Sequence, residues 1–283
     1  MRPIFSSIAT ALALCLVLAW SASAQETEQD IVNKYLNHAV VKHTKRIGWA
    51  SASFGLDRIN RNNDYNKLAD IESAKLTNGD FNWLDNGMSI GLDFGLILKE
   101  RFAWSIGGEY WLEMGEELAA DTYLQVSTST SVSAIPTSKV RVLGASTGLG
   151  YYLFNPPSVE RKLDGISVKV GGTVGFYAAS WDLWSEFENL NLATSAPNAD
   201  NTTFKGSAPG FTLNLGADYP IGLWDLALGV DASYLYLNFN NMAWYNSQDQ
   251  EVVVSLNGTE DGRVDLNLSG VKGRVELKRF FAW

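Results

Sequence analysis

Long runs of period-two alternation are what most constrain the fold of this chain. From Met88 the apolar residues Ile90, Leu92, Phe94, Leu96 and Leu98 recur at every second position, interleaved with Ser89, Gly91, Asp93 and Gly95, with Ile97 as one exception. After Lys99-Glu100-Arg101 the pattern restarts, with Phe102, Trp104, Ile106, Gly108, Tyr110 and Leu112 set against Ala103, Ser105, Gly107, Glu109, Trp111 and Glu113. A side-chain period of two means extended strands with two chemically different faces. Two such strands joined by so short a connection form a hairpin.

The same signature returns in Ile166–Tyr177, Phe211–Tyr219 and Trp224–Tyr236, more weakly in Lys45–Asp57 and Lys139–Phe154, and finally in Arg263–Trp283. The expectation is about eight strands, with ten as the alternative because Tyr123–Val132 also alternates. The connections sort by length. Arg58–Asn86, Gly115–Ser138, Ser185–Gly206 and Asn240–Gly262 are long and polar, whereas Lys99-Glu100, Asn155–Asp164 and Pro220–Leu223 are shorter. Long loops at one end and short turns at the other are the pattern of a membrane barrel.

The face opposite the apolar one is mostly Gly, Ser, Thr, Ala and Asn with sparse charges. Such residues suit the crowded interior of a narrow barrel better than a water-exposed sheet face. Closure is required in lipid, where unpaired backbone groups cannot be solvated. The predicted class is therefore all-β: a transmembrane antiparallel up-and-down β-barrel over residues 45–283.

Residues 1–24 read as a cleaved signal peptide. Arg2 is followed by the apolar run Ile8–Trp20 and the small-residue pattern Ala22-Ser23-Ala24, and the run is shorter than the roughly 20 residues a membrane helix needs. Residues 25–44 read as a short periplasmic arm or helix, with acids Glu26, Glu28 and Asp30 first and Lys42 last, an order that suits the helix dipole. Cys15 lies inside the signal, so a mature chain has neither disulfides nor a thiolate metal site. The formal charge of −9 and pI of about 4.8 argue against nucleic acid as a partner, since phosphate binding needs a concentrated basic surface.

Taken together, the signal peptide, the alternating strands, the loop order and the segment Val271–Trp283 make the chain resemble small outer-membrane barrels of the OmpA, OmpX and OmpW type. That segment places Val271, Gly273, Val275, Leu277, Phe281 and Trp283 on one face and Lys272, Arg274, Glu276 and Lys278 on the other, with Arg279 out of the apolar register. The resemblance implies outer-membrane localisation, contact with outer-membrane lipid, and recognition of Val275, Leu277, Phe281 and Trp283 by the barrel-assembly machinery.

The candidate site residues are of two kinds. Asp93, Glu109, Lys169, Asp231, Arg274 and Glu276 point inward and are expected to form a lumen charge network, because charges in a narrow lumen need partners. Trp104, Tyr110, Phe154, Trp181, Tyr219, Trp224 and Tyr234 are expected at the two headgroup levels as an aromatic girdle. No metal or cofactor is called for. The oxygen ligands of Asn60-Arg61-Asn62-Asn63-Asp64 match no calcium-loop spacing. The histidines, His38 and His43, lie in the N-terminal arm, which disfavours Ser-His or Asp-His chemistry at the loops. The expected function is a structural or interaction role through long surface loops that meet an extracellular ligand or partner. The alternative is a narrow passive channel or porin-like conduit for small or apolar solutes.

Overall fold

A computed structural model describes residues 46–74, 80–99, 101–117, 123–127, 130–158, 163–187, 202–222, 225–245, 249–251 and 263–282. The proposed signal peptide, the N-terminal arm, Trp224 and Trp283 lie outside the described residues. Among the described residues no helix is long and apolar enough to cross a membrane.

Among the described residues ten strands form in chain order: β1 (Ile47–Ile59), β2 (Asn86–Lys99), β3 (Phe102–Glu117), β4 (Tyr123–Ser127), β5 (Thr130–Phe154), β6 (Ser167–Phe187), β7 (Thr202–Pro220), β8 (Leu226–Tyr245), β9 (Val264–Asn267) and β10 (Gly270–Ala282). Every pairing is antiparallel, in the order β1-β2-β3-β5-β6-β7-β8-β10, and β10 returns to β1 from Ile47↔Ala282 to Ile59↔Gly270. The sheet therefore closes as an eight-stranded barrel with no free edge across its middle. β4 pairs with the outer part of β5, and β9 with the outer part of β8. They lengthen hairpins above the barrel rather than widening it, so the Tyr123–Val132 alternation adds no barrel strand.

Parity puts apolar residues outside. Phe54, Leu56, Ile90, Phe94, Ile106, Leu143, Leu149, Val174, Leu213, Leu215, Val230 and Leu277 are all exposed, with Leu149 at 64%. They belong to a belt running round every strand of the barrel, larger than the apolar patches of a few hundred Å² that soluble proteins tolerate. Lipid is the solvent that suits it. The short β7–β8 turn uses Gly222 (φ 79°) and Asp225 (φ 61°), the left-handed geometry that tight reversals need.

Three features depart from the sequence reading. First, the loop after β1 contains a helix, α1 (Asp64–Ser73). Asn63 caps it, its side-chain oxygen accepting the Asn66 amide at 2.9 Å, while the Asn60 side chain accepts the Asn62 amide. The asparagine-rich motif is thus a helix start. Second, a register shift between Trp111 and Met114 turns Glu113 away from the lumen and leaves Trp111 and Met114 inside. Third, the expected last strand is divided at Leu268-Ser269, where the Ser269 hydroxyl accepts the Leu237 amide at 3.0 Å.

Candidate functional site

The lumen is layered. At the short-turn end Ile47, Trp49, Ala103, Tyr152, Ala227 and Phe280 form a buried apolar floor, with Ile97 and Leu163 packed against it. Ile97, the exception to alternation, is therefore a lumen residue. Gly95 makes room here, since a Cβ at that position would lie 1.9 Å from the Trp49 ring.

Above the floor lies an ionic layer. Arg274 bridges Asp93 at 3.3 Å, Glu109 at 3.2 Å and Glu276 at 3.8 Å. Lys278 bridges Glu276 and Asp218, each at 2.5 Å, and Lys272 bridges Glu109 and Asp57, the latter at 3.5 Å. Each of these three cations binds at least two carboxylates, and all three stand on β10. They cross the lumen to β1, β2, β3 and β7, so the layer braces opposite walls. Small residues opposite create the space, as a Cβ at Gly107 would lie 1.9 Å from the Asp93 carboxylate. Lys169 and Asp231 lie together over Gly216, where an added Cβ would be 3.0 Å from each side chain, and Asn214 donates to Asp231 at 3.1 Å.

Asp93, Glu109, Lys169, Asp231, Arg274 and Glu276 all lie on the inner face of the wall. Sequence parity also places Lys272, Lys278 and Asp218 inward, yet they and Asp57 are absent from the expected network. Lys272, Lys278, Asp218 and Asp57 are almost wholly buried and hold much of the layer together.

The half nearer the long loops is filled by aromatic and aliphatic side chains. Trp111, Trp181, Phe204, Leu237, Phe239 and Met242 are at most 1% exposed. Trp181, expected in the girdle, is corrected to this interior cluster: it shares the inward parity of Lys169 and Tyr177, and its Nε1 donates to Ser138 Oγ at 3.0 Å. The helix α1 caps the cluster. Tyr65, fully buried, donates its hydroxyl to the Ser138 carbonyl at 3.1 Å and lies 5.1 Å from Trp181, which in turn lies 5.1 Å from Phe204. Leu68, Ala69, Phe81 and Leu84 complete the seal, and Asp64 accepts the Asp265 amide at 2.8 Å, tying the cap to β9. A small cavity of about 40 Å³ remains in the lumen, lined in part by Trp49, Ser105, Lys169, Gly171, Thr173 and Asn214. It has room for a few waters and no more.

A closed barrel with an apolar belt, a charged lumen and long loops at one end is built for one solvent. The protein folds as a small closed β-barrel of the membrane-spanning kind. No protein-family model matches the chain, and no curated protein matches it. Among solved structures it is similar to Ail, the attachment invasion locus protein of Yersinia pestis in complex with the heparin analogue sucrose octasulfate, at 10% identity over 83% of this chain and 99% of that one, TM-score 0.39. It is also similar to Neisserial surface protein A, at 12% over 84% and 97%, TM-score 0.38. A third is a major outer membrane protein from Thermus thermophilus, at 13% over 83% and 99%, TM-score 0.44.

The outer surface of the barrel completes the geometry. Phe154 and Tyr219 are exposed toward the short-turn rim, where Trp104 donates to Thr147 at 2.9 Å, and Tyr234 is exposed higher on β8. Tyr110 is half-buried on the same outer face. Val275 and Leu277 face outward on β10, with Phe281 half-buried below them. Above the apolar belt, Glu113 accepts Arg141 at 2.7 Å and Lys139 at 3.0 Å, and Arg141 reaches Asp182 at 3.4 Å. This cluster lies on the outside, where such pairs are solvated.

Proposed function

We propose that the protein is a structural or interaction barrel of the outer membrane that works through its extracellular loops and conducts no solute in this form. One observation carries the reading: buried apolar residues fill the lumen toward both ends, and an ionic layer braces it between them. A porin-like conduit would require Trp111, Trp181, Phe204 and Phe239 to leave their packing together, and moving α1 alone would not free the path beneath it. What the architecture holds rigidly is the cap, and binding surfaces are commonly carried on loops held by such a scaffold.

The reading includes lipid contact through the belt and girdle. It also includes recognition of the β10 outer face, Val275, Leu277 and Phe281, together with Trp283, by the barrel-assembly machinery. No residue set for catalysis is proposed. The deciding experiment is conductance of the purified protein in planar bilayers. The expected result is a silent membrane, and a stable ohmic step carried by every inserted barrel would sink the proposal in favour of the channel.

A further inference from the structure

Among the described residues of the cap, Trp83 is a large aromatic left exposed beside buried neighbours. Trp83 keeps 47% of its surface in solvent, while its neighbours Phe81 and Leu84 are buried at 6% and 2%. The ring is nevertheless fixed. Its Nε1 donates to the Asp70 carboxylate on α1 at 2.7 Å, and the Arg61 guanidinium lies 5.5 Å from the ring centroid. Arg61 is held in turn by Asp85 at 2.8 Å, and the Leu84 amide donates to the buried Asn66 side chain at 2.7 Å. About half of this fixed indole is left in solvent, and that exposed part adds nothing to the packing of the fold. Its rigidity lowers the ordering cost of binding instead.

We propose that Trp83, with Asp70, Asp85 and Arg61, forms a binding site for the ring of a neutral or amino sugar in a surface glycan. The inference rests on the reading of the cap as an interaction surface. The apolar C–H face of a pyranose stacks on an indole. The carboxylates and guanidinium around it are planar groups that can engage two neighbouring hydroxyls, or a hydroxyl and an ammonium. Two carboxylates against one guanidinium make the site locally acidic, which disfavours sulfated and uronic sugars.

The test uses the full barrel in nanodiscs, applied to an array of glucose-, galactose-, N-acetylglucosamine- and glucosamine-terminated oligosaccharides alongside sulfated and sialylated ones. Retention on neutral or amino sugars is expected, weakened roughly tenfold or more by Trp83→Ala, as for an aromatic anchor, and partly kept by Trp83→Tyr. The heat-dependent gel shift of the folded barrel should be the same for all three proteins. Absence of retention, a preference for sulfated sugars, or capture indifferent to Trp83→Ala would each overturn the site. So would a Trp83→Ala variant that loses vesicle insertion but not sugar capture, since the ring would then be a headgroup anchor. These failures leave the bilayer recording untouched, so loss of the sugar site and loss of the closed-barrel reading are distinguishable.

Discussion

Arg274 and Glu109 meet at 3.2 Å across the lumen although 165 residues separate them in sequence. Arg274 also serves Asp93 and Glu276, so one side chain neutralises carboxylates from three strands. Arg274→Leu should therefore cost about 3 to 5 kcal/mol, because it leaves charges buried without their partner. Urea unfolding in lipid vesicles measures this, and a loss below about 1 kcal/mol would show that water already solvates the layer.

Arg141 offers the opposite case. It also binds two carboxylates, Glu113 and Asp182, but on the outside and 39% exposed. Arg141→Ala should cost at most about 1 kcal/mol, and less as salt is raised. The same unfolding assay at low and high ionic strength checks both statements.

The lipid face can be tested against the lumen face on one strand. Leu215 is 55% exposed on the outer surface of β7, three positions from the inward Thr212. Leu215→Arg should cost about 2 to 4 kcal/mol at mid-bilayer depth. Thr212→Ala should cost only about 1 kcal/mol, the loss of one hydroxyl bonded to Tyr177 inside the lumen. Equal effects on folding into vesicles would refute the face assignment.

The cap should loosen without the barrel opening. Tyr65→Phe removes the bond to Ser138 and should cost the cap about 1 kcal/mol, whereas Tyr65→Ala also removes a buried ring, at roughly 3 to 5 kcal/mol. Protease cleavage of the loop between β1 and β2 on intact cells should rise in that order, with bilayer conductance still absent. Conductance appearing in Tyr65→Ala would show that α1 alone is the seal.

The barrel wall is legible in the sequence because inward and outward residues alternate over most of each strand, breaking at register shifts such as Trp111/Met114, and parity alone places Leu215 in lipid and Lys169 in the lumen. Partner choice is not. Whether Lys278 meets Asp218 depends on strand tilt and barrel closure, which bring together residues 60 apart. Trp181 shows a different limit: its parity points inward while its ring suggests a headgroup anchor, and parity is the better guide. The helix α1 leaves a readable signal in Asn63 followed by Tyr65, Leu68 and Ala69 at helical spacing. It is short enough to be lost in a loop whose composition is otherwise merely polar.

β10 has one further consequence. It carries Lys272, Arg274 and Lys278, while the acids they neutralise are spread over β1, β2, β3 and β7 as well as β10 itself. Until β10 is seated between β8 and β1, Asp57, Asp93, Glu109 and Asp218 lack these countercharges. Zipping the final seam and quenching the field inside the barrel are one event, so an unsealed intermediate is also an electrically mismatched one, and the cell has a physical reason to complete the circle before it releases the chain into the membrane.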